Sequence, residues 1–243
     1  MNPFLVIAHR GFSARHLENT PEAARAAVQA GADLVEADLR LSEDGALFCL
    51  HDADLRRIAG VNRSVAALTA DEIEELTAAR EGAIARLGDI AAVLDRRCGL
   101  LLDTKLAGDE VIEAAADILR PMRLAAQTWF GLRYPAQVKT VRQLLPGARV
   151  LALMASPSDG ALWKAAGADA IRLWEVDLPD WLARQPYAPA DIWVTVGGAG
   201  TGRETGDIDP PHLLRLAAKG LGGALVNDPQ AAANVLTREE LAR

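Results

Sequence analysis

The chain has 243 residues, 50% hydrophobic and 24% charged, which is enough to bury a substantial core. A formal net charge of −7 and the absence of a basic stripe argue against a nucleic-acid backbone as partner. No window approaches the roughly 20 apolar residues of a membrane span, and the opening MNPFLVIAHRG lacks the layout of a secretory signal, so a cytoplasmic protein without stable membrane insertion is expected.

The first predicted strand is FLVIAH (4–9), followed by a helix over PEAARAAVQAG. LVEADL (34–39) and ALFCLH (46–51) read as a strand with an added hairpin. The stretch 52–98 shows only two short helical patterns and is expected to form a small excursion within a single domain, 1–243. Beyond it come LLLDTK (100–105), AQTWF (126–130), RVLALM (149–154), AIRLW (170–174), IWVTV (192–196) and ALVND (224–228). Helices are expected over DEVIEAAADILR, PAQVKTVRQLLP, SDGALWKAAG and PPHLLRLAAKG. Gly31, Gly167 and Gly220 stand where helices commonly stop. Continuous apolar strands alternating with helices call for a parallel sheet covered by helices. About eight such units in roughly 250 residues fit a (β/α)8 TIM barrel, with the excursion after its second strand. A doubly wound sheet is the competitor, but no G-x-G-x-x-G follows a strand. Cys49 and Cys98 lie in apolar runs and read as small core residues, with no zinc-type spacing around them.

Barrel active sites gather at the carboxyl ends of the strands, so the polar residues there are the ones to weigh. They are His9 and Arg10, Glu36 and Asp38, His51 and Asp52, and Asp103 with Lys105. Glu36 and Asp38 are two apart on one strand and face the same side, and Asp103 and Lys105 repeat that spacing. Three acids directed into one lumen repel unless a cation neutralises them, and oxygen ligands favour Mg²⁺ or Ca²⁺. Arg10 can grip a phosphate with paired donors, Lys105 adds a point charge, and two histidines can divide acid and base work. A small-molecule phosphodiester is the substrate these parts suit. The pairs Arg56–Arg57 and Arg96–Arg97 read as solvated.

The ordered series HRG, ENT, GAD, E-x-D, DG and HD across residues 9–52 resembles the signature of the glycerophosphodiester phosphodiesterase family, with LLDTK and LGGALVNDP echoing its later strands. The resemblance implies a (β/α)8 barrel that hydrolyses glycerophosphodiesters to sn-glycerol 3-phosphate and an alcohol. It implies His9 and His51 as the acid/base pair, Arg10 and Lys105 as substrate ligands, and Glu36 and Asp38 as metal ligands. Asp103 stands where the family usually has a glutamate as third ligand. In such enzymes the hydroxyl next to the ester attacks phosphorus, and water opens the resulting cyclic phosphate.

Where many members read W-T-V-N, this chain reads VTVG (194–197), followed by GAGTGRETGD (198–207). That loop is either a phosphate cradle or a plain connection. Asn19-Thr20-Pro21 is read as a helix cap rather than as pocket lining. His16 is expected to shape the entrance and His212 to be exposed. Trp129, Phe130 and Trp174 either line the alcohol side or pack in the core. A lysophospholipase D or sphingomyelinase D-like activity on a lipid is the alternative reaction, and a non-catalytic phosphate-binding barrel is the third reading.

Overall fold

Eight short, almost wholly buried strands run parallel and close on themselves in the computed structural model, which describes residues 4–78, 84–94 and 98–240. In chain order they are β1 (Leu5–Ala8), β2 (Leu34–Leu41), β5 (Gly99–Thr104), β6 (Thr128–Leu132), β7 (Arg149–Ala152), β8 (Ala170–Trp174), β9 (Ile192–Thr195) and β10 (Gly223–Val226). The ring closes because β1 pairs in parallel with both β2 and β10. The expected TIM barrel is therefore the architecture, and each of its predicted strands is present.

Helices cover the outside: α1 (Pro21–Gln29), α4 (Leu87–Ala92), α5 (Glu110–Leu119), α6 (Gln137–Leu144), α7 (Gly160–Ala166), α8 (Leu178–Trp181), α9 (Pro210–Ala218) and α10 (Pro229–Glu240). Helix α1 starts as its sequence dictates. Thr20 Oγ1 accepts from the Ala23 amide at 3.2 Å, and Pro21 fills the first turn, where no N–H is needed. Gly31, Gly167 and Gly220 all take positive φ beyond their helices. Helices α5 and α6 lay Val111, Ile112, Val138 and Val141, all nearly inaccessible, against strand residues such as Leu102 and Phe130. Full burial of each such side chain stabilises by about 1.5–3 kcal/mol.

The excursion has its own small core. Strand β3 (Leu47–Cys49) runs antiparallel to β2, and β4 (Ala85–Arg86) runs antiparallel to β3. Helices α2 (Arg56–Ala59) and α3 (Ala70–Thr77) complete it, burying Phe48, Leu55, Leu68 and Ile73 together. Both boundaries differ from the expected 52–98: the excursion begins with β3, whose Phe48 and the following Leu50 pack into its core. Helix α4 packs beside α1 and α5, so the chain has rejoined the barrel by Leu87 rather than at 98. The two-residue β4 is too short for a periodic signal, and it pairs with β3 nearly forty residues away in sequence, which no local pattern encodes.

Candidate active site

The pleat of a strand sends every second side chain into the lumen. Ile7, Leu34, Leu101, Trp129, Leu151, Leu153, Ala170, Trp193 and Leu225 form an apolar floor, with Trp129 and Trp193 packed at 4.5 Å between ring centres. Adding two residues to these positions gives the layer above. It contains His9, Glu36, Asp103, Gly131, Arg172, Thr195 and Asn227, and Asp38, Lys105, Arg133 and Trp174 stand two further on. Space there is tight: a Cβ on Gly131 would meet Leu153 Cδ1 at 3.0 Å. Except for Gly131 and Asn227, these residues line a cavity of about 320 Å³ together with Arg10, His51 and Thr205. The seven sequence-predicted site residues thus meet in one place.

His9 leaves β1 with its amide bonded to the Val226 carbonyl at 2.9 Å, and its Nδ1 lies 2.9 Å from Asn227 Oδ1. The Asn227 amide is oriented by donating Nδ2–H to the Thr205 carbonyl at 2.8 Å, which leaves Oδ1 to accept from Nδ1–H of His9. Burial, and then the neighbouring Arg10 charge, lower the His9 pKa below its ordinary 6.5. Arg10 follows with φ of +57°, uncommon for a side-chain-bearing residue, and Gly11 continues at +80°. A Cβ on Gly11 would come within 2.7 Å of the Ala23 backbone, so glycine is required there. The strained turn aims the Arg10 amide at Glu36 Oε2 (2.8 Å) while its guanidinium reaches Asp38 Oδ2 (3.1 Å) and Glu18 Oε2 (3.0 Å).

Glu36, Asp38 and Asp103 offer carboxylate oxygens within 4.8 Å of one another. Asp38 and Asp103 face each other directly across the β2–β5 ladder. Burial would raise the Asp38 pKa, but Lys105 and Arg10 more than offset it and hold this carboxyl below its usual range. Lys105 Nζ lies 2.6 Å from both Asp38 Oδ1 and Asp103 Oδ2. Arg133 clasps Asp103 through both guanidinium nitrogens, one bond to Oδ2 measuring 2.9 Å. Glu36 differs from both. It is 3% exposed, makes no ion pair among the described residues, and its pKa is pushed well up by burial and then by Asp38 and Asp103. A buried acid short of countercharge, in an all-oxygen cluster with two more carboxylates, fits a hard divalent cation.

His51 comes from the excursion rather than from a barrel strand. Its Nδ1 lies 2.9 Å from Asp52 Oδ1, Asp52 Oδ2 accepts from Arg57 Nε at 2.6 Å, and Arg57 reaches Glu18 Oε1 at 2.5 Å. A ladder of alternating charge therefore runs from His51 to Arg10 and seats the excursion on the β1 turn. Arg57 is accordingly not a simple solvated residue; Arg96 and Arg97 lie outside the described residues.

Several functional positions escape sequence reasoning. Asn19 is buried, takes φ of +58°, and brackets Asp38 by accepting from its amide at 3.0 Å and donating Nδ2–H to Oδ2 at 3.0 Å. The cap reading holds for Thr20, whereas Asn19 supports the site. Arg133 and Arg172 are lumen residues: each lies two or four residues from a floor position, a count that becomes possible only once the closed ring shows which residues form the floor. Trp174 is at the rim, whereas Trp129 is in the floor and Phe130 packs outside the barrel wall. The 198–205 segment lines a second cavity of about 690 Å³, bordered also by Asn227, that shares His9, Arg10 and Thr205 with the first. It is anchored by Arg203 on Glu175, and His212 is no solvent-facing residue, since its Nε2 lies 3.2 Å from the same carboxylate. His16 sits edge-on to Phe12.

A closed parallel barrel with a cluster of acids, guanidinium groups and imidazoles at the carboxyl ends of its strands belongs to the class of TIM barrels built around small charged ligands. Residues 9–106 match the model of the glycerophosphoryl diester phosphodiesterase family. A probable glycerophosphodiester phosphodiesterase of Mycobacterium tuberculosis is 34% identical over 141 residues, covering 57% of this chain and 47% of that protein. A lysophospholipase D of Mus musculus is 41% identical over 71 residues, covering 29% of this chain and 22% of that protein. The matched region thus spans about half the length, or less, of these curated relatives. Among solved structures, an Oleispira antarctica phosphodiesterase in complex with the product sn-glycerol-3-phosphate superposes with TM-score 0.74 at 21% identity, covering 97% of each chain. The glycerophosphodiester phosphodiesterase of Thermotoga maritima superposes with TM-score 0.71 at 21% identity, covering 97% of this chain and 99% of that one. At such identities the superpositions speak for the fold.

Proposed function

We propose that this chain hydrolyses glycerophosphodiesters to sn-glycerol 3-phosphate and an alcohol, with a divalent cation and with His9 and His51 as the acid/base pair. The observation that carries the reading is that both imidazoles, each anchored through Nδ1, line the same cavity as the three carboxylates, Arg10 and Lys105. Anchoring Nδ1 leaves Nε2 of each ring as the nitrogen that exchanges a proton. His9, kept neutral by burial and by Arg10, serves as base toward the glycerol hydroxyl next to the ester. His51, held through Nδ1 by the Asp52 carboxylate, serves as the acid that protonates the departing alcohol. Arg10 and Lys105 bind the non-bridging phosphate oxygens, and Asn19 keeps Asp38 oriented.

Glu36, Asp38 and Asp103 would hold Mg²⁺ or Ca²⁺, which when bound polarises the phosphate and acidifies the attacking hydroxyl. In this reading residues 1–243 act as one cytoplasmic domain, since the excursion supplies His51. Among the described residues no helix is long and apolar enough to cross a membrane.

The test is release of sn-glycerol 3-phosphate from glycerophosphocholine and glycerophosphoethanolamine with Mg²⁺, Ca²⁺ or chelator. Metal-dependent release is expected; no release from metal-loaded, folded protein would refute the reading. A lysophospholipase D activity is the second reading, favoured by the exposed Trp174 and Val176 beside the cavities (38% and 52% accessible). Parallel assays on micellar lysophosphatidylcholine separate the two.

A further inference from the structure

Four cationic side chains line the cavity of about 320 Å³, and three of them are already committed. Arg10 pairs with Asp38 and Glu18, Lys105 with Asp38 and Asp103, and Arg133 with Asp103. Arg172 is the exception: it is 8% exposed, its Nη1 is buried without a hydrogen-bond partner, and no ion pair reaches it among the described residues. Buried guanidinium groups are ordinarily paired, because desolvating the charge is costly. Burial, and then the facing Arg133, lower its pKa to about 10, which still leaves it charged near neutral pH. Trp174 stacks on it at 4.2 Å and fixes the plane of the guanidinium. An unpaired, pre-oriented cation in the wall of a cavity calls for an anionic ligand.

The ring order says which part of the ligand that is. Passing from β2 through β5, β6 and β7 to β8 takes four of the eight steps, so Arg172 stands across the lumen from Glu36 and Asp38. The groups assigned to the scissile phosphate come from β1, β2, β5 and the turns that follow them. Glycerol carries no charge, and the phosphate is met by Arg10 and Lys105. The remaining part of a glycerophosphodiester that can carry a negative charge is its alcohol.

Resting on the reaction proposed above, we infer that Arg172 is a specificity-determining residue that binds an oxyanion on the alcohol half, so that the preferred substrates carry a carboxylate or a second phosphate there. Trp174 positions this guanidinium and walls the same end of the cavity.

Two matched pairs of esters test this: glycerophosphoserine against glycerophosphoethanolamine, which differ by a carboxylate, and glycerophosphoglycerol with and without a terminal phosphate. The protein is expected to favour the anionic member in kcat/KM, and the pair that shows the larger ratio tells carboxylate from phosphate. Arg172→Gln is expected to reduce the anionic-to-neutral ratio by about 30-fold or more. An unchanged ratio, whether or not both rates fall, overturns the inference, because Arg172 would then serve the common phosphate or the fold. If the protein cleaves no ester, the reaction is misread, and calorimetric binding of O-phosphoserine against O-phosphoethanolamine decides on its own. Tighter binding of phosphoserine that disappears in Arg172→Gln sustains the anion site, and equal affinities overturn it. Thermal unfolding of Arg172→Gln and of Arg172→Met confirms that the variants compared are folded.

Discussion

Two arcs of the ring face each other across the lumen and are built on different principles. In the arc β1–β2–β5 Arg10 and Lys105 are paired with buried acids, beside a strained turn, and the lysine is shared between two carboxylates. The arc β7–β8–β9 presents Leu151, Leu153, Thr195 and Trp193 around one unpaired guanidinium. The family match ends at residue 106, just after the first arc. The difference separates labour: the first arc and the excursion hold the groups proposed for bond cleavage, and the second holds groups that would choose what is cleaved. Tight mutual pairing keeps reactive groups in register, whereas an unpaired charge leaves free energy available for a ligand.

That division can be broken most severely at the histidines. His9→Ala and His51→Ala are each expected to lower kcat by about 10²–10⁴-fold in steady-state assays. Turnover within about tenfold of the parent would remove them from the acid/base role. Asp38→Asn should come next. It strips Lys105 and Arg10 of a buried partner, which costs about 3–5 kcal/mol and lowers Tm by roughly 10 °C. A Tm within about 2 °C of the parent would mean that the pairing adds nothing to stability.

A smaller effect sharpens the assignment of His9 as base. Because its pKa lies below 6.5, neutral imidazole persists to mildly acidic pH, and kcat/KM should fall only as pH drops through that lowered value. Asn227→Ala removes the acceptor that holds Nδ1–H and raises the pKa, so the acid limb should move to still lower pH. Its kcat should fall by about tenfold. A limb that stays in place in Asn227→Ala would show that another group sets it. The smallest effect has the opposite sign. Arg172→Met removes an uncompensated buried charge and is expected to raise Tm by about 2–4 °C, on the order of 1 kcal/mol, by differential scanning calorimetry.

The barrel was legible in the sequence because strand and helix periodicity are local properties, and the cap at Thr20 and the stops at Gly31, Gly167 and Gly220 are local as well. The acid pairs were legible for the same reason: the side chains of Glu36 and Asp38 share a face wherever the strand goes. Arg172 was hidden inside the apolar run AIRLW, where its neighbours suggest burial and say nothing of a lumen. Counting from Ala170 in the floor would have exposed it, but knowing that Ala170 lies in the floor requires the closed ring. Asn19 was missed because its contact with Asp38 crosses from a turn to a strand, and nothing in a helix-capping pattern anticipates it. The ladder from His51 through Arg57 to Glu18 depends on how the excursion docks, which no spacing encodes.

That docking carries a consequence of its own. The two imidazoles ride on separate bodies, His9 on the closed ring and His51 on an appended lobe that buries Phe48, Leu55, Leu68 and Ile73 apart from the main core. A lobe of so few apolar side chains, tethered by a two-strand ribbon and a row of charges, opens at lower free energy than the ring that carries it. Each opening would withdraw one of the two proposed proton carriers while leaving the carboxylate cluster and Lys105 in place. Under the proposed reaction the turnover number would follow the fraction of time the lobe is seated, so changes to Ile73 or Leu55, in the lobe's own core, would act on catalysis as a duty cycle.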